Sequence, residues 1–211
     1  MTELLTVTSH NSFELIEKKS RFIAEIFPIE SEETAKNAIT NVQQNNREAN
    51  HVVFAYTLGL KSETQRESDN GEPSGTAGKP VLDVIAKNNL VNVLITVTRY
   101  FGGIKLGAGG LIRAYSGAAA KVVEQTKIFQ LVLQDKLAVT ADYASLDRLQ
   151  YFIQQHHAEI TKSDYGQQVN VTLLIPTADS SRFQEELTNL FSARIGIKKI
   201  AEILSPTLIK H

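Results

Sequence analysis

The chain has 211 residues, more than the roughly 100–150 of a common single domain, so two domains are expected. Its 42% hydrophobic and 21% charged residues, with 12 Gly and 5 Pro, exclude collagen-like, low-complexity and wholly disordered chains. A net charge of −1 excludes bulk attraction to nucleic acid or anionic lipid, and the lack of cysteine excludes disulfides, thiolate zinc, iron–sulfur clusters and a cysteine nucleophile.

In chain order, Ser20–Ile29 reads as extended, and Ser31 as a helix cap with Glu32 and Glu33 at the positive end of the dipole. Ala35, Ala38, Ile39 and Val42 then mark one buried helix face. His51–Leu60 is β-branched and aromatic, hence a strand. Residues 61–79 are polar, Gly-rich and without periodicity, the mark of a long loop. Pro80 suits the first turn of a short helix through about Lys87. Val91–Thr98 is a buried-type strand, Arg99–Gly110 a glycine loop, and Leu111, Tyr115, Ala118 and Val122 a helix stripe running to about Thr126.

A second unit is expected from Asp135. Leu137–Ala141 reads as a strand and Ser145–Gln155 as a helix. Ile160–Asp164 and Val169–Pro176 flank a hairpin-like turn at Tyr165-Gly166. Asp179 is placed to cap a helix carrying Phe183, Leu187 and Leu190, and Ile195–Ile203 is extended. The order β-α-β-β-α-β is a split βαβ of ferredoxin-like type. The expectation is therefore α+β, with domains at 1–134 and 135–211. No run approaches a membrane span of about 20 residues, and the opening residues carry acids without a long apolar core, so a cytoplasmic protein without a secretory signal is expected.

Between Asp83 and Glu124 there is no carboxylate, while Lys87, Arg99, Lys105, Arg113 and Lys121 are all basic, and 8 of the 12 glycines lie between Gly71 and Gly110. Within that window stands a strand, then YFGGIKLGAGG, then a helix. Free amides at a helix start favour an anion. Arg99, Lys105 and Arg113 add charge, Gly102, Gly103, Gly107, Gly109 and Gly110 give the backbone freedom, and Tyr100 or Phe101 offers a stacking ring. A phosphate-sized anion site is one reading; close helix–strand packing beside a solvated basic face is the other. Neither the Walker nor the dinucleotide fingerprint fits, since Ala108-Gly109 stands where Lys-Ser/Thr is needed and Ile112 where the third glycine is.

A second group is SDNGEPSGTAGKP, residues 68–80, with Asp69, Gly71, Glu72, Ser74, Gly75 and Lys79. A loop held by side-chain caps, a carboxylate-bound divalent ion, and a Ser74 nucleophile with Lys79 as base all fit this turn-rich composition. His51 could serve as a general base; His156 and His157 end a helix, and His10 and His211 lie near the termini. No zinc site, metal or cofactor is expected from these spacings.

SDNGEPSGTAGKPVL (68–82) and VTRYFGGIKLGAGGLIRAYS (97–116), with SRFIA (20–24), His51 and Ala55-Tyr56, resemble the signature of the IMPACT/YigZ family over roughly residues 15–125. Asn70 departs from that signature, where a second aspartate is usual, which counts against a two-aspartate metal site. The resemblance implies an N-terminal domain folded like the second domain of a small-subunit ribosomal protein, a β-α-β sandwich, and a C-terminal ferredoxin-like domain similar to domains of elongation factor G. It implies a link to translation, since eukaryotic relatives regulate it by binding a co-activator of an initiation-factor kinase; it carries over no catalytic residue. Together these readings favour a non-enzymatic, translation-associated protein engaging RNA or a ribosome-associated surface. The alternatives are a Mg-dependent enzyme acting on a phosphorylated small molecule or nucleotide, and a module binding a regulatory protein through residues 68–79.

Overall fold

A computed structural model describes residues 3–192 and 194–208; His211 lies outside them. Mixed α/β structure fills these residues, with two five-stranded sheets and five α-helices among them. The chain divides into two units, one reaching Leu131 and including the residues from Pro206, the other Val132–Ser205.

The first unit contains β1 (Leu5–Thr6), β2 (Asn11–Glu17), β3 (Ser20–Pro28), α1 (Glu32–Asn45), β4 (His51–Leu58), β5 (Thr64–Ser68), α2 (Gly78–Lys87), β6 (Val93–Tyr100) and α3 (Ala108–Glu124). Its main sheet runs β2-β3-β6-β4-β5, antiparallel throughout. Helices cover both faces of the central strand β6. Val93, Ile95 and Val97 join a core with α2 and α3, in which Tyr115 packs edge-on against Phe22 with ring centroids 5.2 Å apart. Leu94 points the other way, into the cluster that α1 closes with Ala35 and Ile39. Burial on two faces explains why β6 reads as one continuous apolar run.

The cap expected at Ser31 is a reciprocal one: its Oγ accepts from the Thr34 amide at 3.1 Å, and Thr34 Oγ1 accepts from the Ser31 amide at 3.0 Å. The long loop expected over residues 61–79 is interrupted by β5, which pairs with β4 from Leu58↔Thr64 to Phe54↔Ser68. Its side chains are exposed or half-buried, so an edge strand held by main-chain hydrogen bonds leaves no apolar pattern. The Arg99–Gly110 loop is also shorter than expected: Arg99 and Tyr100 finish β6, and Ala108 already begins α3.

The second unit holds most of β7 (Phe129–Ala141), then α4 (Leu146–Gln155), β8 (Glu159–Tyr165), β9 (Val169–Pro176), α5 (Thr177–Leu190) and most of β10 (Gly196–Leu208). Its strands run in the order β10-β7-β9-β8, and β1 is the fifth strand of this sheet, pairing with the start of β7 at Leu5↔Gln130 and Thr6↔Phe129. Leu137, Val139, Leu149, Phe152, Val171, Leu173, Phe183 and Leu187 make its core. Asp179 does not cap α5: that helix starts two residues earlier, behind Pro176, which leaves Asp179 inside the first turn. Asp135 holds the start instead, accepting from Thr177 Oγ1 at 2.9 Å and from Lys199 Nζ at 2.7 Å. Burial pushes the Asp135 carboxyl upward, but its bonds to Lys199, Ser180 and Thr177 together hold it below its ordinary value. No helix among the described residues is long and apolar enough to cross a membrane.

Candidate functional site

Strand alternation sets the site. Arg99 lies on the same side of β6 as Val93, Ile95 and Val97, which turns it under α3 rather than toward solvent. Its side chain is 7% exposed and its Nη1 donates to Glu72 Oε1 at 2.6 Å, while the rings of Phe22 and Phe101 lie 5.3 and 5.4 Å from the guanidinium carbon. Tyr115 of α3 donates its hydroxyl to the same Glu72 oxygen at 2.7 Å. Burial, then the bond to Glu72, pushes the Tyr115 phenol far above its usual range, so it remains a donor at any working pH.

This pair floors a cleft of about 450 Å³, lined by His51, Glu72, Pro73, Arg99, Phe101 and Lys105, with Asn50 and the stretch from Leu106 to Ala108 and Leu111 completing it. The two motifs, far apart in sequence, thus meet through Glu72 and Arg99. His51 Nδ1 lies 3.0 Å from the Asn70 carbonyl. A carbonyl can only accept, so Nδ1 carries a proton there, and Nε2 lies 4.0 Å from Glu72 Oε1. Asn50 acts through the backbone, its Oδ1 accepting from the Phe101 amide at 2.7 Å. No local pattern marks Asn50; the β4–β6 register, His51 opposite Arg99, puts it there.

Gly107 enters α3 at φ +71° with no side-chain cap and no acid in the first turn. The first helical bond runs from the Leu111 amide to the Gly107 carbonyl at 2.9 Å; among the described residues no acceptor is bonded to the amides of Ala108, Gly109 or Gly110. Lys105 stands exposed at the same mouth, without an ion-pair partner among the described residues. Arg99 Nε, fully buried, also has no partner.

The remaining predicted residues are distributed around this cleft. Arg113 and Gly110 line a neighbouring hollow with Lys18. Tyr100 faces the opposite way, its hydroxyl donating to Asn46 Oδ1 at 2.8 Å. Gly103 is exposed at φ +85°, and Gly109 lies near Arg113. Gly102 answers to packing: a Cβ there would sit 2.0 Å from the Lys19 carbonyl carbon. Gly102→Ala should therefore destabilise the unit by about 3 kcal/mol, the upper end of overpacking penalties, measured by urea unfolding.

The 68–80 loop is held by capping. Asp69 accepts from the amides of Gly75, Ala77 and Gly78 at 2.8–2.9 Å, and so serves as the cap that α2 lacks at its own N-cap. Burial raises its pKa, but the three donors outweigh burial and hold the carboxyl below its ordinary value. Gly71 and Gly75 supply positive φ in the same turns. Asn70 takes the left-handed region at φ +41° and donates Nδ2 to the Val52 carbonyl at 3.0 Å, which an aspartate could not do. With Asp69 and Glu72 both engaged, the loop offers no free carboxylate pair for a divalent ion. Nor is there a Ser74–Lys79 couple among the described residues, because Lys79 pairs with Asp83 instead.

Comparison with known proteins agrees with the two motifs. The Impact N-terminal domain matches residues 18–123, and a domain of unknown function, DUF1949, matches 139–194. The IMPACT family member YvyE of Bacillus subtilis is 32% identical over 92% of this chain and 89% of its own length, and YigZ of Escherichia coli 30% identical over 88% and 92%. The rabbit protein IMPACT is 30% identical over 44% of this chain and 30% of its own length. A crystal structure of a hypothetical protein superposes with a TM-score of 0.61 at 28% identity, covering 95% of this chain and 98% of that one. The chain belongs to the IMPACT family.

Proposed function

We propose that the chain is a non-enzymatic, translation-associated binding protein that engages RNA or a ribonucleoprotein surface through the cleft at the start of α3. Its two domains, 1–134 and 135–211, would be the ribosomal-protein-like unit and the ferredoxin-like unit related to elongation factor G. The strand order β10-β7-β9-β8 supports the second of these. One observation carries the functional reading: the open start of a long helix, at Gly107 and Ala108, shares a cleft with a buried arginine and an unpaired lysine. A phosphate seated on the α3 amides would meet Lys105, and an adjoining base would meet the exposed face of Phe101.

Lys105 is the clean probe, since Arg99 is a buried structural partner of Glu72 and its removal perturbs folding. In filter binding to single-stranded RNA, Lys105→Ala should weaken affinity and reduce the log–log salt slope by about 0.7, one phosphate contact. Affinity and slope equal to wild type would remove the cleft from the interface. The cleft's volume also suits a small phosphorylated molecule, with the His51 ring in its lining. Thermal shift against nucleotides and sugar phosphates separates the two readings: a specific shift with no RNA binding favours the small molecule.

A further inference from the structure

The hairpin joining β2 to β3 turns in two residues, Lys18 and Lys19, between the paired Glu17 and Ser20. Both lie in the left-handed region, at φ 45° and 65°. A two-residue turn with positive φ at both positions is the place for Asn-Gly, and lysine is disfavoured there. Both side chains are exposed, and among the described residues neither has a hydrogen-bond or ion-pair partner to repay the strain locally.

The turn is fixed against the glycine motif. The Lys19 backbone occupies the space where a Cβ of Gly102 would lie, and the Gly102 amide donates to Ser20 Oγ at 3.2 Å. Lys18 lines a hollow with Arg113, Gly110 and Leu106, beside the first turn of α3; Leu106 also lines the main cleft. Tertiary folding thus sets Lys18 beside Arg113 and the Lys19 backbone against Gly102, each more than eighty residues away in sequence. Glu17 is the carboxylate lining that hollow, and nearby Glu14 is occupied by Arg21 at 2.9 Å.

We propose that the Lys18–Lys19 turn is a phosphate-contacting tip that carries an RNA strand from the α3 cleft, across Arg113, to the β2–β3 hairpin. The ligand is then a polymer with successive phosphates rather than a single phosphorylated molecule. The proposal rests on the RNA reading above and extends it. Strained backbone bearing unpaired charge is characteristic of functional sites.

The test is K18N/K19G in the full chain, scored by thermal unfolding and by filter binding to single-stranded RNA across a salt series. The exchange relieves the turn, so the variant should melt no lower than wild type. Its RNA affinity should fall roughly tenfold near 0.1 M salt, with a slope shallower by about 1.4, the value for two lost single-strand contacts. Unchanged affinity and slope, or a lower melting temperature, overturns the proposal. K105A losing affinity while K18N/K19G keeps it overturns the tip alone and leaves the cleft standing. Wild-type protein that binds no RNA overturns both.

Discussion

Arg99→Ala should destabilise the first unit by about 3–5 kcal/mol, the range for deleting one partner of a buried ion pair. The guanidinium is one half of a pair whose side chains are 7% and 3% exposed, and it lies between two phenyl rings. Its loss leaves the Glu72 carboxylate with the Tyr115 hydroxyl as its remaining close donor and His51 at 4.0 Å. For a unit of this size the melting temperature should fall by roughly 10 °C or more. Arg99→Lys should recover part of the loss, because an ammonium keeps the charge without the planar fork that stacks between rings. The double variant Arg99→Met/Glu72→Gln should be less destabilised than the sum of its singles, since no buried charge is then unpaired. Denaturant unfolding of wild type, Arg99→Ala, Arg99→Lys, the double variant and its two singles checks this; a loss below about 1 kcal/mol in the Arg99→Ala protein would mean that the pair is effectively solvated.

Asp69→Ala should cost about 3 kcal/mol at neutral pH, because charge-assisted hydrogen bonds are worth about 1.5–3 kcal/mol each and do not simply add. Three amides lose their acceptor, two of them at the start of α2, where Ala77 provides no side-chain cap. The contribution depends on pH in a defined direction. The folded-state pKa of Asp69 is depressed, so its stabilisation is fully present above the unfolded value near 3.9 and is lost as pH falls through the folded value. Wild type and Asp69→Ala should therefore differ most at neutral pH and converge only as the pH falls through the depressed folded-state value of Asp69. Asp69→Asn should lie between them, since an amide oxygen still accepts but without charge. Unfolding curves at neutral and acid pH measure both effects; a constant difference across that range would contradict the assignment of Asp69 as an ionised cap.

Both changes fall within motifs that stand out in the sequence, but the role of Arg99 there differs from its role in the fold. Arg99 reads as a surface cation at the mouth of a glycine loop. The period-2 alternation Val93, Ile95, Val97, Arg99 points to its true side, but alternation cannot reveal that Glu72, 27 residues earlier, waits beneath α3. Asp69 and Glu72 read as part of a loop held by side-chain caps, with a bound divalent ion as the alternative, and the capping reading is the one the fold realises. Folding gives one of them three amides and the other an arginine and a phenol.

Local physics was sufficient where the interaction is local. The Ser31 cap, the stripe Leu111, Tyr115, Ala118 and Val122, and the hairpin around Gly166 depend on residues a few positions apart, and each is found in the structure. The uncapped start of α3 is likewise written in the glycines before it. Long-range juxtaposition belongs to the tertiary structure: His51 opposite Arg99, β5 as an edge strand without apolar pattern, and Lys18-Lys19 against Gly102. Backbone pairing and close packing fix these neighbours across tens of residues. Side-chain period carries no information about which distant segment will supply the partner, so the glycine motif could be found in the chain, but the charges surrounding it could be assigned only in the fold.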